Sequence, residues 1–464
     1  MTNHLNKFSF SALMVIFLSF FIIINPNIGF DILAFLLILF IILQKLFGEY
    51  FILILLAMRP TLDYWRDFNL FSVGLIDFNI NASLSVFLLG WSIIFFIKNY
   101  EYFRRVPLKI SWLLFILWCT ISLTYTYHAS STIIETMKLA NLFALFGITY
   151  ILAEKDRLGF KAKFLKAGVA AAIAPLLLGL YQFISKTGMD IDEVSNRIYG
   201  TLAHPNVLAT FALLLLMVLA NEIIAKQKNK GSLLNLKTDT LPKLLGLFLL
   251  IIIALTYTRI AWIGAAILFI IIGIIYYKKT LIYSIAGLIL FFILFYPINN
   301  FLISSYNINL QASGLISRLT TRNQDSDSVR WRTNLVTKVL PLFKKEYIKG
   351  YGYGTFARVW DDNKDLTNLW DNTSEAHNDY IKVAFESGVV GLFLFLVIFA
   401  TLLYRQITFA IKNNWKNIVF IASIFVYLIL SFSDNMLHHT PTIWWFWAVW
   451  GWWANEYRIE KNKE

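Results

Sequence analysis

Apolar residues run along this chain in blocks mostly of about 15–22, the length a helix needs to cross a hydrocarbon layer. The blocks fall at 8–24, 28–44, 46–58, 82–97, 110–127, 133–153, 164–185, 205–225, 243–257, 260–277, 280–298, 388–404, 417–437 and 441–456. They predict an all-α polytopic membrane protein with 12–14 transmembrane helices. The 46–58 block is short for a full span and is expected to be tilted, re-entrant or partly interfacial. The first block has no Ala-x-Ala-like cleavage site after it, so it reads as an uncleaved helix. Residues 299–380 break the rhythm as one hydrophilic stretch. A structureless loop of that length is unusual. Its apolar and aromatic residues, among them Leu335, Leu340, Leu342, Trp331 and Trp360, predict short helices packed on the membrane domain. The pattern divides the chain into N-terminal helices with two short Arg-bearing loops (1–298), the large loop (299–380), and three closing helices with a tail (381–464).

Composition agrees. Hydrophobic residues make up 58% and charged residues 15%, against about 45–50% and 25% in soluble globular chains. The formal net charge of +13 changes meaning once it is sorted by side. With a cytoplasmic N-terminus, alternate loops and tails hold 24 of the 41 Lys and Arg, and the short opposite loops hold five: Arg59, Arg66, Lys186, Arg197 and Arg259. Basic residues in short loops mark the cytoplasmic side. Both termini are therefore expected inside, and the charge is no footprint of nucleic acid. The large loop carries ten basic and nine acidic residues. The one cysteine, Cys119, leaves no intrachain disulfide and no zinc spacing.

Six Trp between Trp444 and Trp453 read as an interfacial aromatic belt with lipid-facing bulk. Asp31, Glu135, Lys138, Glu222 and Asp434 interrupt apolar blocks and read as packing partners; Glu135 and Lys138, three apart, can neutralise each other. His128, His204, His377, His438 and His439 lie on or near the outer face. Arg197 and Arg259 stand in short outer loops, where a charge is costly unless it is paired or faces a wet cavity; snorkelling and an anion clamp are the two readings. Asp190-Ile191-Asp192 and Asp325-Ser326-Asp327 are short enough strings to be solvated loop carboxylates, with a divalent-metal site as the rival reading. Arg330 and Arg332 fit surface pairing with the loop's acids or contact with substrate. Gly388 and Gly391 allow close backbone approach by a neighbouring helix.

His377-Asn378, nine residues, Gly388, two residues, Gly391 resembles the signature of the O-antigen ligase family. The stretch from Arg197 through Gly200-Thr201 and Pro205-Asn206 to Leu208-Ala209 is similar to the family's Arg-bearing segment, and Arg259 falls where the family carries a second outer-face Arg. The resemblance spans roughly residues 165–437. It implies a GT-C-like inverting glycosyltransferase of the bacterial inner membrane with a periplasmic active site. Its donor would be a glycan on undecaprenyl diphosphate and its acceptor a hydroxyl, foremost that of lipid A-core, with membrane lipids around it and no nucleic acid. His377 would be the catalytic base, and Arg197 and Arg259 would bind the diphosphate. Asn378, Tyr380, Arg330 and Arg332 would support them or contact substrate. No metal or other cofactor is implied. The superfamily also holds polysaccharide polymerases and protein O-oligosaccharyltransferases, and a lipid-linked glycan flippase is the alternative from another class. A flippase favours paired repeats and midplane charges, whereas here no repeat is seen and the polar candidates sit at the outer surface.

Overall fold

A computed structural model describes residues 28–73, 76–191, 194–228, 240–279, 281–283, 328–363 and 375–458. Every apolar block that falls on these residues is helical; 8–24 and nearly all of 280–298 lie outside them. The helices are α1 (Ile28–Phe47), α2 (Phe51–Leu62), α3 (Ile80–Lys98), α4 (Tyr100–Phe103), α5 (Lys109–Ile121), α6 (Ala129–Lys155), α7 (Arg157–Ser185), α8 (Pro205–Lys228), α9 (Thr240–Leu255) and α10 (Arg259–Tyr276). They continue with α11 (Ser328–Lys345), α12 (Phe356–Asp361), α13 (Asp379–Lys412), α14 (Ile418–Ser433) and α15 (Thr440–Glu456). Two antiparallel hairpins interrupt them: β1 (Asn69–Val73) with β2 (Ile76–Asn79), and β3 (Met189–Ile191) with β4 (Val194–Arg197). Among the described residues, seven helical stretches are long and apolar enough to cross a membrane, and three shorter apolar helices accompany them. The protein is an all-α polytopic membrane protein. Blocks 28–44 and 46–58 meet at a 3-10 turn, Gly48–Tyr50, and residues 38–65 act as one such stretch.

Side-chain capping fixes several helix starts. Asn79, Asp156 and Asn378 each accept the amide three residues on, at 2.8, 3.0 and 3.0 Å, which satisfies donors the helix cannot. α6 and α8 are central; 83% and 72% of their apolar windows are buried, against 33–39% for α3, α7, α10 and α13. The outer helices turn Ile93, Ile97, Leu177 and Ile263 outward, as lipid-facing helices do.

The Trp run corrects the expectation of an interfacial belt. All six Trp of α15 are buried, because α15 packs along α6 inside the bundle. Trp445 donates to the Leu56 carbonyl and Trp450 to Ser423 Oγ, so their ring N–H groups are met within the core.

The second correction concerns Gly388. Its φ of +67° and ψ of −175° break α13, in a region that only glycine occupies readily. What approaches Gly388 is not a helix but the turn segment 347–352. Val389 donates to the Tyr347 carbonyl (2.9 Å), and Tyr351 and Gly352 donate to Phe385 and Glu386 (3.2 and 2.9 Å). The loop thereby satisfies the backbone groups that the break frees. A Cβ on Gly388 would collide with the Ile348 carbonyl. Beyond this seam, Leu335, Val339, Leu342, Phe356, Val359, Trp360 and Phe385 make a small separate core. Tyr125 Oη donates to the Lys349 carbonyl (2.8 Å), and Tyr127 Oη bonds Asp362.

Two of the acids that interrupt apolar blocks are paired: Glu135 lies 2.5 Å from Lys138 and the buried Glu222 lies 2.9 Å from Lys161, which offsets the cost of burying charge. The Asp31 side chain lies outside the described set.

Candidate active site

Arg197 ends β4, and its position is built from two sides. The Gln182 side chain of α7 donates to the Gly200 carbonyl (3.1 Å) and accepts the amides of Tyr199 and Gly200 (3.0 and 2.8 Å). Gly200 takes φ +62° and lies so close to the Pro175 carbonyl that a Cβ would not fit. The loop is thus pinned to α7. The buried Arg197 side chain then donates from Nε to the Thr256 carbonyl (2.9 Å), and from Nη2 to Thr258 Oγ1 (3.3 Å) and Asn206 Oδ1 (3.2 Å). Thr258 is the N-cap residue of α10, whose first residue is Arg259. The half-buried Arg259 thus directly follows a residue that Arg197 contacts.

His377 immediately precedes the N-cap of α13 and holds a left-handed φ of +46°. That conformation is uncommon outside glycine, and the surroundings hold it. Asn378 donates its amide to Asn435 Oδ1 (3.0 Å) and its side-chain NH₂ to the Phe432 carbonyl (2.8 Å). Asn378 is therefore a cap that positions His377. The Tyr380 hydroxyl donates to the Leu428 carbonyl (2.7 Å) and anchors α13 to α14.

Asp434 joins these parts, contrary to its reading as a packing residue. Its Oδ2 accepts Asn206 Nδ2 (2.9 Å) and lies 3.2 Å from His439 Nε2; its Oδ1 accepts the Asn435 amide (2.8 Å) and lies 3.8 Å from His377 Nδ1. Asn206 relays the link, accepting from Arg197 and donating to Asp434. Arg197, Asn206, Asp434, His439 and His377 thus form one connected group drawn from three separate stretches of chain. A sequence signal existed: an Asp closing one apolar block, with two His four and five residues on, before the next.

Burial works to raise the Asp434 carboxyl, but the neighbouring His439 and His377 imidazoles outweigh it and hold it well below the usual carboxylate range. Burial works to lower His439, and Asp434 overcomes it and raises the imidazole. Burial and the Arg197 charge push His204 down to about 4, so it stays neutral. The Asp434 contribution to stability is present above its ordinary pKa and lost as pH falls through its depressed folded value. That of His439 is present below its ordinary pKa and lost as pH rises through its raised folded value. Both act together between about pH 4 and 6.5. Asp434→Asn should therefore lower the thermal unfolding midpoint of the detergent-solubilised protein most in that window and less at alkaline pH. An equal drop at every pH would show that the charge pair is not what the substitution removes.

The remaining candidates lie apart. His128 is the N-cap residue of α6. Asp190 Oδ1 accepts the Asn196 amide (2.7 Å) within its hairpin. Asp192, Asp325 and Asp327 lie outside the described residues, as do the side chains of Arg330 and Arg332, whose backbone belongs to α11. Among the described residues, no group of three or more His, Cys, Asp or Glu could hold a metal.

Fold and site together define a polytopic membrane protein with an Arg–His–Asp centre at the ends of its helices. Residues 244–396 match the family model described as O-antigen ligase, and the resemblance to that superfamily stands on this match. The matched stretch carries Arg259, His377, Asn378, Gly388 and Gly391 but neither Arg197 nor Asp434. No curated protein matches the chain.

Proposed function

We propose that the chain is a GT-C-like, metal-independent inverting glycosyltransferase of the bacterial inner membrane, active at the periplasmic face. Its donor is a glycan on undecaprenyl diphosphate, and its first acceptor is a hydroxyl of lipid A-core, which makes it an O-antigen ligase. The observation that carries this reading is the convergence of Arg197, Asn206, Asp434, His439 and His377, with Arg259 one residue beyond Thr258. The family match supports a ligase- or polymerase-type glycosyltransferase.

In this reading His377 takes the acceptor hydroxyl proton at Nε2, the ring nitrogen opposite the one facing Asp434. Asp434 orients the ring and stabilises the imidazolium that forms. The acceptor oxygen attacks the anomeric carbon as the bond from that carbon to the diphosphate oxygen breaks, so the configuration inverts. Negative charge grows on the leaving diphosphate, where Arg197 and Arg259 offer planar, permanently charged donors. A deletion strain is the test. A lost lipopolysaccharide ladder with accumulated lipid-linked polymer is expected. A core bearing a single repeat unit indicates a polymerase. An unchanged ladder with altered glycoproteins indicates a protein oligosaccharyltransferase.

A further inference from the structure

The chain on both sides of His377 is held by one residue from another stretch. The buried Asn435 follows Asp434, between α14 and the 3-10 turn Met436–His438. Its side-chain oxygen accepts the amide of Asn378, the residue after His377 (3.0 Å). Its side-chain NH₂ donates to Glu375 Oε2, two residues before His377 (2.6 Å). Its own backbone amide donates to Asp434 Oδ1 (2.8 Å), the oxygen that faces His377. Asn435 therefore carries both the segment that bears His377 and the carboxylate opposite it. Between the two grips Ala376 is buried in the small outer core, and His377 holds its left-handed φ of +46°.

Chemistry fixes which way round the Asn435 amide lies. A backbone N–H can only donate, and an ionised carboxylate can only accept. Turned over, the amide would set its NH₂ against the Asn378 N–H and its oxygen against Glu375. Glu375 is thus the group that selects the orientation in which Asn435 receives Asn378. Lys382, in the first turn of α13, approaches the same Glu375 oxygen at 3.7 Å, and His438 Nδ1 lies 3.7 Å from the other. We propose that Glu375 is a positioning residue of His377, acting through Asn435. Glu375 accepts from Asn435, Asn435 holds Asn378, and His377 between them is kept facing Asp434. Misplacing a reacting group by about 1 Å can cost on the order of 10²-fold in rate, so a side chain that touches no substrate can govern turnover. The positioning itself stands on the geometry; that it serves proton transfer rests on the transfer reading above.

The test uses the full chain purified in an uncharged maltoside detergent, with an undecaprenyl-diphosphate-linked glycan as donor and lipid A-core as acceptor. Glu375→Leu removes the acceptor of the Asn435 bond and should lower kcat about tenfold or more, with KM within about twofold of wild type. Glu375→Gln still presents a carbonyl oxygen to Asn435 and should keep kcat within about threefold. Asn435→Asp sets two carboxylates against each other and should lose about as much as Glu375→Leu. Glu375→Gln combined with Asn435→Asp restores one donor and one acceptor with the direction reversed, and should recover most of that loss. If Glu375→Leu does not fold, this isosteric set decides. A second readout needs no turnover. Modification of His377 by diethyl pyrocarbonate, followed by peptide mass spectrometry, should quicken about threefold or more in Glu375→Leu and Asn435→Asp and return toward wild type in the double variant. Wild-type kcat in Glu375→Leu overturns the proposal, as do equal losses in Glu375→Leu and Glu375→Gln, or a double variant no better than Asn435→Asp. A wild-type chain that transfers no glycan, with His377 reactivity following this pattern, keeps the positioning and removes the transfer reading. Transfer by the wild type with His377 reactivity unchanged in every variant removes only the positioning.

Discussion

His377→Ala should abolish glycan transfer while the protein still inserts and accumulates. Proton transfer by a positioned base contributes about 10²–10⁴-fold, and loss on that scale would empty a lipopolysaccharide ladder. The side chain is 30% exposed and the residue sits at a loop–helix junction. Its removal therefore opens no core cavity, and alanine at a left-handed φ adds only modest strain. A second variant separates chemistry from that strain: His377→Asn, a residue that tolerates the left-handed region well, should be equally inactive but nearer wild type in thermal stability. Ladder synthesis by either variant at wild-type level would remove His377 from the chemistry. Asp434→Asn should fall between, because it removes the carboxylate that faces the base while leaving the base in place. Its residual activity should therefore exceed that of His377→Ala.

Much of the membrane domain was legible in the periodicity of the chain, since a span must be long and apolar whatever its neighbours are. What periodicity could not distinguish was lipid from protein as the apolar surroundings. α15 is as apolar as a lipid-facing helix, yet it is the most enclosed, because a helix hydrophobic all round suits either setting. The break at Gly388 was half legible. Two glycines three apart signalled close approach, but the partner at Gly388 is a turn segment nearly forty residues earlier, which local pattern cannot specify. The same holds for the site. Arg197, Arg259 and His377 stood out because each is a conspicuous polar residue in a connection between apolar blocks. Asn206 and Asp434 did not, since an amide in a helix's first turn and an acid after a span look like ordinary caps. Their role exists only where three distant stretches meet.

That meeting has a mechanical consequence. The short outer helical segment of α13, Asp379–Ser387, touches both systems. Its N-cap Asn378 is tied to Asn435 beside Asp434, and Glu386 accepts the Phe356 amide of the outer loop (3.0 Å). Lys382, between them, lies 3.7 Å from Glu375, whose other oxygen lies 3.7 Å from His438. A shift of the loop relative to the membrane helices would therefore reach His377 through this one helical segment. The loop, where an acceptor would dock, and the proposed base are coupled by packing rather than by direct contact.

Arg197→Lys and Arg259→Lys should each keep the positive charge and still lose most transfer. For Arg197 the reason is visible in its partners. Nε serves the Thr256 carbonyl while Nη2 serves Asn206 and Thr258, and one ammonium on a flexible stem cannot hold that fork. The substitution costs geometry twice, at the proposed diphosphate and at Asn206, which would lose the contact that aligns it to Asp434. For Arg259 the proposed role is the diphosphate contact alone, so its lysine variant should lose that contact. The two should then differ in kind. Arg259→Lys should depress turnover, the loss rising with the charge on the leaving group, and leave the pH profile in place. Arg197→Lys should depress turnover and also move the pH profile, because it loosens the group that fixes the proposed base. Purified variants assayed with a lipid-diphosphate-linked glycan across pH 5–9 would decide it. Normal turnover in both removes the clamp, and identical pH profiles in both remove the relay through Asn206.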